Sequence, residues 1–88
     1  MRGNTIAGDL SERLQLPGEA LGELSVQTAG RMMLVENHRG LLSFTDESIV
    51  VAGARGRRLT VRGTGLFVQA MTKKEMLICG MLQAIEWD

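Results

Sequence analysis

From about Arg31 to Trp87 the chain is a cadence of short apolar runs cut by turn residues. RMMLV, GLLSF, SIVVA, RLTVR, LFVQAM, EMLIC and LQAIEW are separated by NHRG, TDE, GARG, GTG, TKK and the single Gly80. Inside the runs apolar and polar residues alternate with a period of two, which is the pattern of strands with one buried face. The connections are too short to carry crossover helices, so neighbouring strands are expected to be antiparallel, unless the chain coils as a solenoid. The fold class that follows is all-β, built mainly from short antiparallel strands as a sandwich, a small barrel or a short β-solenoid. With 88 residues spent almost wholly on such strands, little chain remains to enclose an active site. The expected mode of action is through surfaces.

Residues 1–22 read differently and form an N-terminal arm ahead of a β domain over residues 23–88. Ile6, Leu10 and Leu14 recur at a spacing of four and stripe one face of a short helix. Asn4, Thr5 or Asp9 supplies an N-cap, and Pro17-Gly18 stops the helix. So brief a helix is marginal alone and needs a surface for its leucines, either the sheet or a partner. The arm carries charges and no signal-like apolar run, and no stretch of the chain reaches the roughly 20 apolar residues of a bilayer-spanning helix. The expectation is a cytoplasmic chain without its own transmembrane segment.

Leu24 to Thr28 alternate and predict a first strand ending at Gly30, with the next strand over 31–36. NHRG, residues 37–40, then offers turn residues for a hairpin into the following strand, because Asn and Gly adopt positive φ cheaply. Leu42 and Phe44 are expected inward, as are Ile49, Val51, Leu59, Val61, Leu66, Val68, Ala70, Met76 and Ile78. Gly63-Thr64-Gly65 reads as another turn, and Gly80 as a bulge that breaks the phase of its run. That assignment leaves Met32 or Met33, Leu41, Val50, Phe67, Leu77 and Leu82 outward. Two stacked sheets account for part of this excess, and a partner or a second copy of the chain accounts for the rest. The formal charge of +0, from 10 basic and 10 acidic residues, mildly favours such association.

The residues offer little chemistry. Cys79 is the single cysteine, in an apolar run, and reads as a small buried side chain. His38 is the single histidine and reads as a solvated turn residue; with Glu36 and Asp46 it makes only a weak three-ligand hypothesis. No cofactor or metal is implied. Arg55, Arg57, Arg58 and Arg62 cluster, which raises the alternative of a small β-barrel gripping nucleic acid. The zero net charge and the few aromatic side chains weigh against it. The preferred use of these arginines is toward acidic groups on a protein partner or anionic lipid heads. Candidate interface residues are Leu41, Val50, Arg58, Arg62 and Phe67.

Three elements in order resemble the YabP/YqfC family of sporulation proteins, and its YqfC branch more closely. The first is ENHRG followed by a short strand and TDE, residues 36–47. The second is the glycine-flanked RLTVRGTGLFV. The third is MLICG with LQAIEW, an apolar strand, a glycine and a strand closing on an acidic and an aromatic residue. SERLQLPGEAL resembles the amphipathic lead-in of the branch, so the likeness covers about residues 10–87. The basic GARGRR loop departs from the pattern. The resemblance implies a non-enzymatic assembly or adaptor component in endospore formation, in the mother cell. It also implies a partner among sporulation membrane proteins, hence a peripheral position at a membrane. It brings no catalytic residues.

Overall fold

The computed structural model describes residues 22–88. The alternating runs form six strands: β1 (Ser25–Ala29), β2 (Met32–Glu36), β3 (Gly40–Phe44), β4 (Ser48–Ala52), β5 (Arg58–Met71) and β6 (Glu75–Trp87). They make one open sheet in the order β1-β2-β6-β5-β4-β3, and every neighbouring pair is antiparallel. The all-β expectation stands. Antiparallel pairing throughout removes the solenoid, and a single continuous sheet replaces the two stacked sheets. The N-terminal helix expected over residues 1–22 falls, but for Gly22, outside the described residues.

β5 and β6 are long because two pairs of runs have fused. RLTVR and LFVQAM are one strand, as are EMLIC and LQAIEW, so Gly63-Thr64-Gly65 is a bend inside β5 and not a turn. The β5–β6 ladder slips in register at Arg62/Gly63, again between Thr64 and Phe67, and again at Val68/Ala70. Gly80 is the expected irregularity: at φ +130° it stands opposite Gly65, itself at φ +63°. A Cβ on Gly80 would sit 2.6 Å from the Gly65 carbonyl oxygen, so two backbones meet where side chains have no room.

The bend lets the sheet close over itself. β4 pairs with the first half of β5, and β2 with the first half of β6, at opposite ends of the long hairpin. β2 and β3 are four places apart in the sheet, about 19 Å if it were flat. Only residues 37–39 join them, and from Glu36 to Gly40 a fully extended chain reaches about 14 Å. A flat sheet is therefore impossible. Curling brings Met33 and Val35 of β2 onto Ile49 and Val51 of β4, with Leu59, Val61, Leu66, Met76 and Ile78 completing one core. At about 25 cal/mol per Å2 of apolar surface removed from water, this shared core is the main stabilising element.

NHRG thus begins a crossover and not a hairpin. The sequence allows a β2–β3 hairpin, but β2 takes β1 and β6 as neighbours and, among the described residues, β3 pairs only with β4. Two further phases differ from expectation. Leu41 turns to the core because a bulge between Leu41 and Ser43 shifts the edge strand and leaves Leu42 exposed, whereas Phe44 keeps the inward side, opposite Ile49, but lies at the open rim and is 67% exposed. Leu82 packs on the core, since the slips near Gly63 and Gly80 invert the phase expected for β6. Ala70 pairs with the outward Leu77 after the last slip. The TDE turn forms as expected, though its acceptor is Thr45 Oγ1, which takes the amides of Glu47 and Ser48 at 3.1 and 3.0 Å, in place of Asp46.

Candidate interaction surface

Phe67 pairs with Cys79 one residue out of step with the Val68–Ile78 pair that faces the core, so its ring is forced to the opposite face. It is 54% exposed and forms a ridge between two open clefts. One cleft, of about 490 Å3, is lined by Leu41, Phe44, Leu66 and Val68 together with Thr45 and Asp46. The other, of about 430 Å3, is lined by Met32, Met81 and Cys79 around the two glycines of the bend. Phe44, Phe67, Met32 and Met81 are 67%, 54%, 40% and 50% exposed. Backbone bonds hold the ridge rigid, with the β3–β4 turn pinned to β5 through Gly63 N–H to Glu47 O at 3.1 Å and Leu66 N–H to Asp46 O at 2.8 Å.

Unused backbone lies beside it. Among the described residues, β3 has no neighbour on its outer side, and β4 pairs with β5 only as far as Arg62. Among the described residues, β5 from Phe67 onward and β6 beyond Gly80 therefore have a ladder on one side only.

The five residues singled out from the sequence separate into two groups. Leu41 and Phe67 share the larger cleft. Val50, Arg58 and Arg62 lie on the other side of the β4–β5 half: Val50 faces Thr60, which stands two residues from each arginine. Phe44 and Met81 belong to the apolar surface and were not singled out. Phe44 lies on the inward side, as its phase predicts, and its exposure comes from its place at the end of the edge strand β3, which the sequence does not mark.

Most of the arginine cluster is engaged within the molecule. Arg55 pairs with Glu23 at 3.2 Å, Arg62 with Glu86 at 3.1 Å, and Arg57 lies over the Trp87 ring at 5.3 Å. Both ion pairs are exposed and contribute at most about 1 kcal/mol each.

His38 overturns its expected exposure. It is 6% exposed, and its Nε2 lies 2.9 Å from Thr72 O and 3.2 Å from Glu75 O. Two carbonyls can only accept, so Nε2 carries the proton. The imidazole clamps the β5–β6 turn to the crossover. Asp46 is not brought to it, and among the described residues no three His, Cys, Asp or Glu side chains are grouped to hold a metal. Cys79 is buried as expected; its thiol donates to Gln69 Oε1 at 2.8 Å, and burial pushes its pKa up. Among the described residues no helix is long and apolar enough to cross a membrane.

The family model of the YabP family matches residues 20–88, which takes in all six strands. The chain is also 25% identical over 88 residues to "Uncharacterized protein YqfC" of Bacillus subtilis (strain 168), covering 98% of this chain and 94% of that protein. No solved structure matches. The chain, whose six strands all fall within the matched residues, thus belongs to the YabP family.

Proposed function

We propose that the protein is a non-enzymatic assembly or adaptor component of endospore formation, acting in the mother cell. It works by burying the Phe67 ridge and its flanking clefts against a protein partner, a sporulation membrane protein, with self-association as a second use of the same surface. Family membership supports the sporulation setting. The observation that carries the adaptor reading is the ridge: four large apolar side chains around a rigid bend, next to a strand edge that is unpaired among the described residues. Exposed apolar patches with open edges mark interfaces, since leaving them wet costs solubility. The nucleic-acid alternative loses ground because three of its four arginines are already engaged by Glu23, Glu86 and Trp87.

The reading is tested by light scattering across concentration and by co-purification from detergent-solubilised membranes of sporulating cells, comparing the wild type with Phe67→Ser. A membrane protein should come along with the wild type and be lost with the variant. A strict monomer that captures nothing sinks the proposal.

A further inference from the structure

A separate cleft of about 270 Å3 lies where the crossover meets the β5–β6 turn, lined by Gly22, Asn37, His38, Arg39, Lys73 and Lys74. Among the described residues, three cations and no carboxylate line it. Its backbone is tied down from both sides. Asn37 and His38 amides both donate to Lys74 O, at 2.6 and 3.2 Å, and the Arg39 amide donates to Ala52 O at 2.7 Å. His38 Nε2 bridges Thr72 O and Glu75 O across the two lysines, while Thr72 Oγ1 accepts the Glu75 amide at 3.0 Å. The buried imidazole therefore fixes the turn that carries Lys73 and Lys74 beside Arg39. Only the ends of the three long side chains remain free to adjust.

Two observations point from this cleft to a ligand. Among the described residues Arg39, Lys73 and Lys74 make no ion pair, whereas Arg55 and Arg62 both do. Like charges gathered without counter-charges repel one another, and an arriving anion relieves that repulsion. Beside them, the His38 ring lines the cleft, is 94% buried by its 6% exposure, and has no partner for Nδ1. With the proton on Nε2, Nδ1 can only accept, so it suits a ligand that brings a hydroxyl beside its anionic oxygens, while the three cations take the oxygens themselves.

We propose that this cleft is a binding site for a phosphate group, either a free phosphate compound or the headgroup of an anionic lipid. The volume is just below the usual range for small-molecule pockets, which suits a compact group and leaves no room for a long groove-bound chain. Three cations drawn from two segments surround a multi-oxygen dianion better than a single carboxylate, and ammonium and guanidinium groups are the standard partners of phosphate oxygens. Against a lipid surface, the same contacts would hold the β5–β6 turn to the membrane and leave the Phe67 ridge free. The site stands independently of the assembly reading.

The test uses the full chain at low salt with two probes: inorganic pyrophosphate by calorimetry, and flotation with phosphatidylcholine vesicles made with and without phosphatidylglycerol. Lys73→Ala/Lys74→Ala and Arg39→Ala are compared with Arg57→Ala/Arg58→Ala, which removes two positive charges elsewhere. Binding should fall roughly tenfold or more in the cleft variants and hold in the control, as expected from losing a charge-assisted bond. Pyrophosphate binding alone assigns the site to a soluble phosphate. Vesicle binding that needs phosphatidylglycerol assigns it to a headgroup. Absence of binding to both probes, or equal loss in the cleft and control variants, overturns the proposal. All the substituted side chains are exposed, and a thermal melt of each variant verifies that the fold is intact.

Discussion

At the scale of single residues, the most constrained position is Gly63, not any large side chain. A Cβ placed there would drive into the Met81 carbonyl oxygen of the facing strand and crowd Leu66 Cδ2 at 2.9 Å. The first obstacle is backbone, which cannot rotate aside, so Gly63→Ala should cost about 2–4 kcal/mol. Gly30 provides the comparison: it holds φ +62° with open space around it. Gly30→Ala should cost only the left-handed strain, about 1 kcal/mol. Urea unfolding of the two variants checks the order, and equal costs would show that the bend tolerates separation of its strands. Cys79 makes the other residue-scale prediction. Burial raises its thiol pKa above the ordinary 9.0, and the bond to Gln69 works in the same direction. Above that value the unfolded chain loses a proton that the native state keeps. The thiol therefore contributes nothing to pH dependence below about 9.0, and stability declines as pH rises through and beyond it. Cys79→Ala should flatten that alkaline decline in unfolding curves measured across pH. At neutral pH the native thiol should react with a disulfide reagent far more slowly than in urea.

At the scale of elements, the crossover and the β5–β6 turn stand or fall together, because His38 joins them. Replacing His38 by Ala takes the imidazole donor from Thr72 O, while Glu75 O keeps the Thr72 amide at 2.8 Å, and should cost about 1–3 kcal/mol. Faster amide exchange should be confined to Asn37, His38 and the 72–75 turn, with the amides of β4 unchanged. If exchange rises evenly across the sheet, the clamp is not local. This clamp also shows which parts of the fold the sequence makes readable. Alternation placed Ile49, Val51, Leu59, Val61, Met76 and Ile78 inward, and all six are fully buried. Period two is a local property and is carried by adjacent residues. The partner of each strand is not local. ENHRG contains every residue that a tight hairpin uses, yet β2 turns to β6, more than thirty residues away, for its ladder. Gly-Thr-Gly is equally ambiguous, since the freedom that makes a turn also makes a bend within a strand. The candidate surface was half readable for the same reason. Phe67 is expected outward and lies exposed, but Leu41, expected on the same side, turns to the core, because the bulge that shifts β3 depends on pairing with β4.

At the scale of the whole molecule, the curled sheet divides its apolar side chains between two tasks, and the two can be separated by substitution. Leu59 is fully buried in the one core, and Leu59→Ala should cost about 2–5 kcal/mol through lost burial and a residual cavity. Phe44 and Phe67 are larger but are 67% and 54% exposed, and neither joins that core. The double variant Phe44→Ser/Phe67→Ser should therefore change stability by at most about 1 kcal/mol. Its effect belongs to association, because the patch it removes is what a partner or a second copy would bury. At zero formal charge, little long-range repulsion opposes contact between copies, so screening by added salt should change that association only slightly. Denaturant titration together with light scattering distinguishes the two tasks. The double variant should keep its unfolding midpoint and lose mass at high concentration, while Leu59→Ala should lower the midpoint. If instead the double variant unfolds as readily as Leu59→Ala, both phenylalanines are holding the domain together, and the ridge is part of the fold and not a docking face.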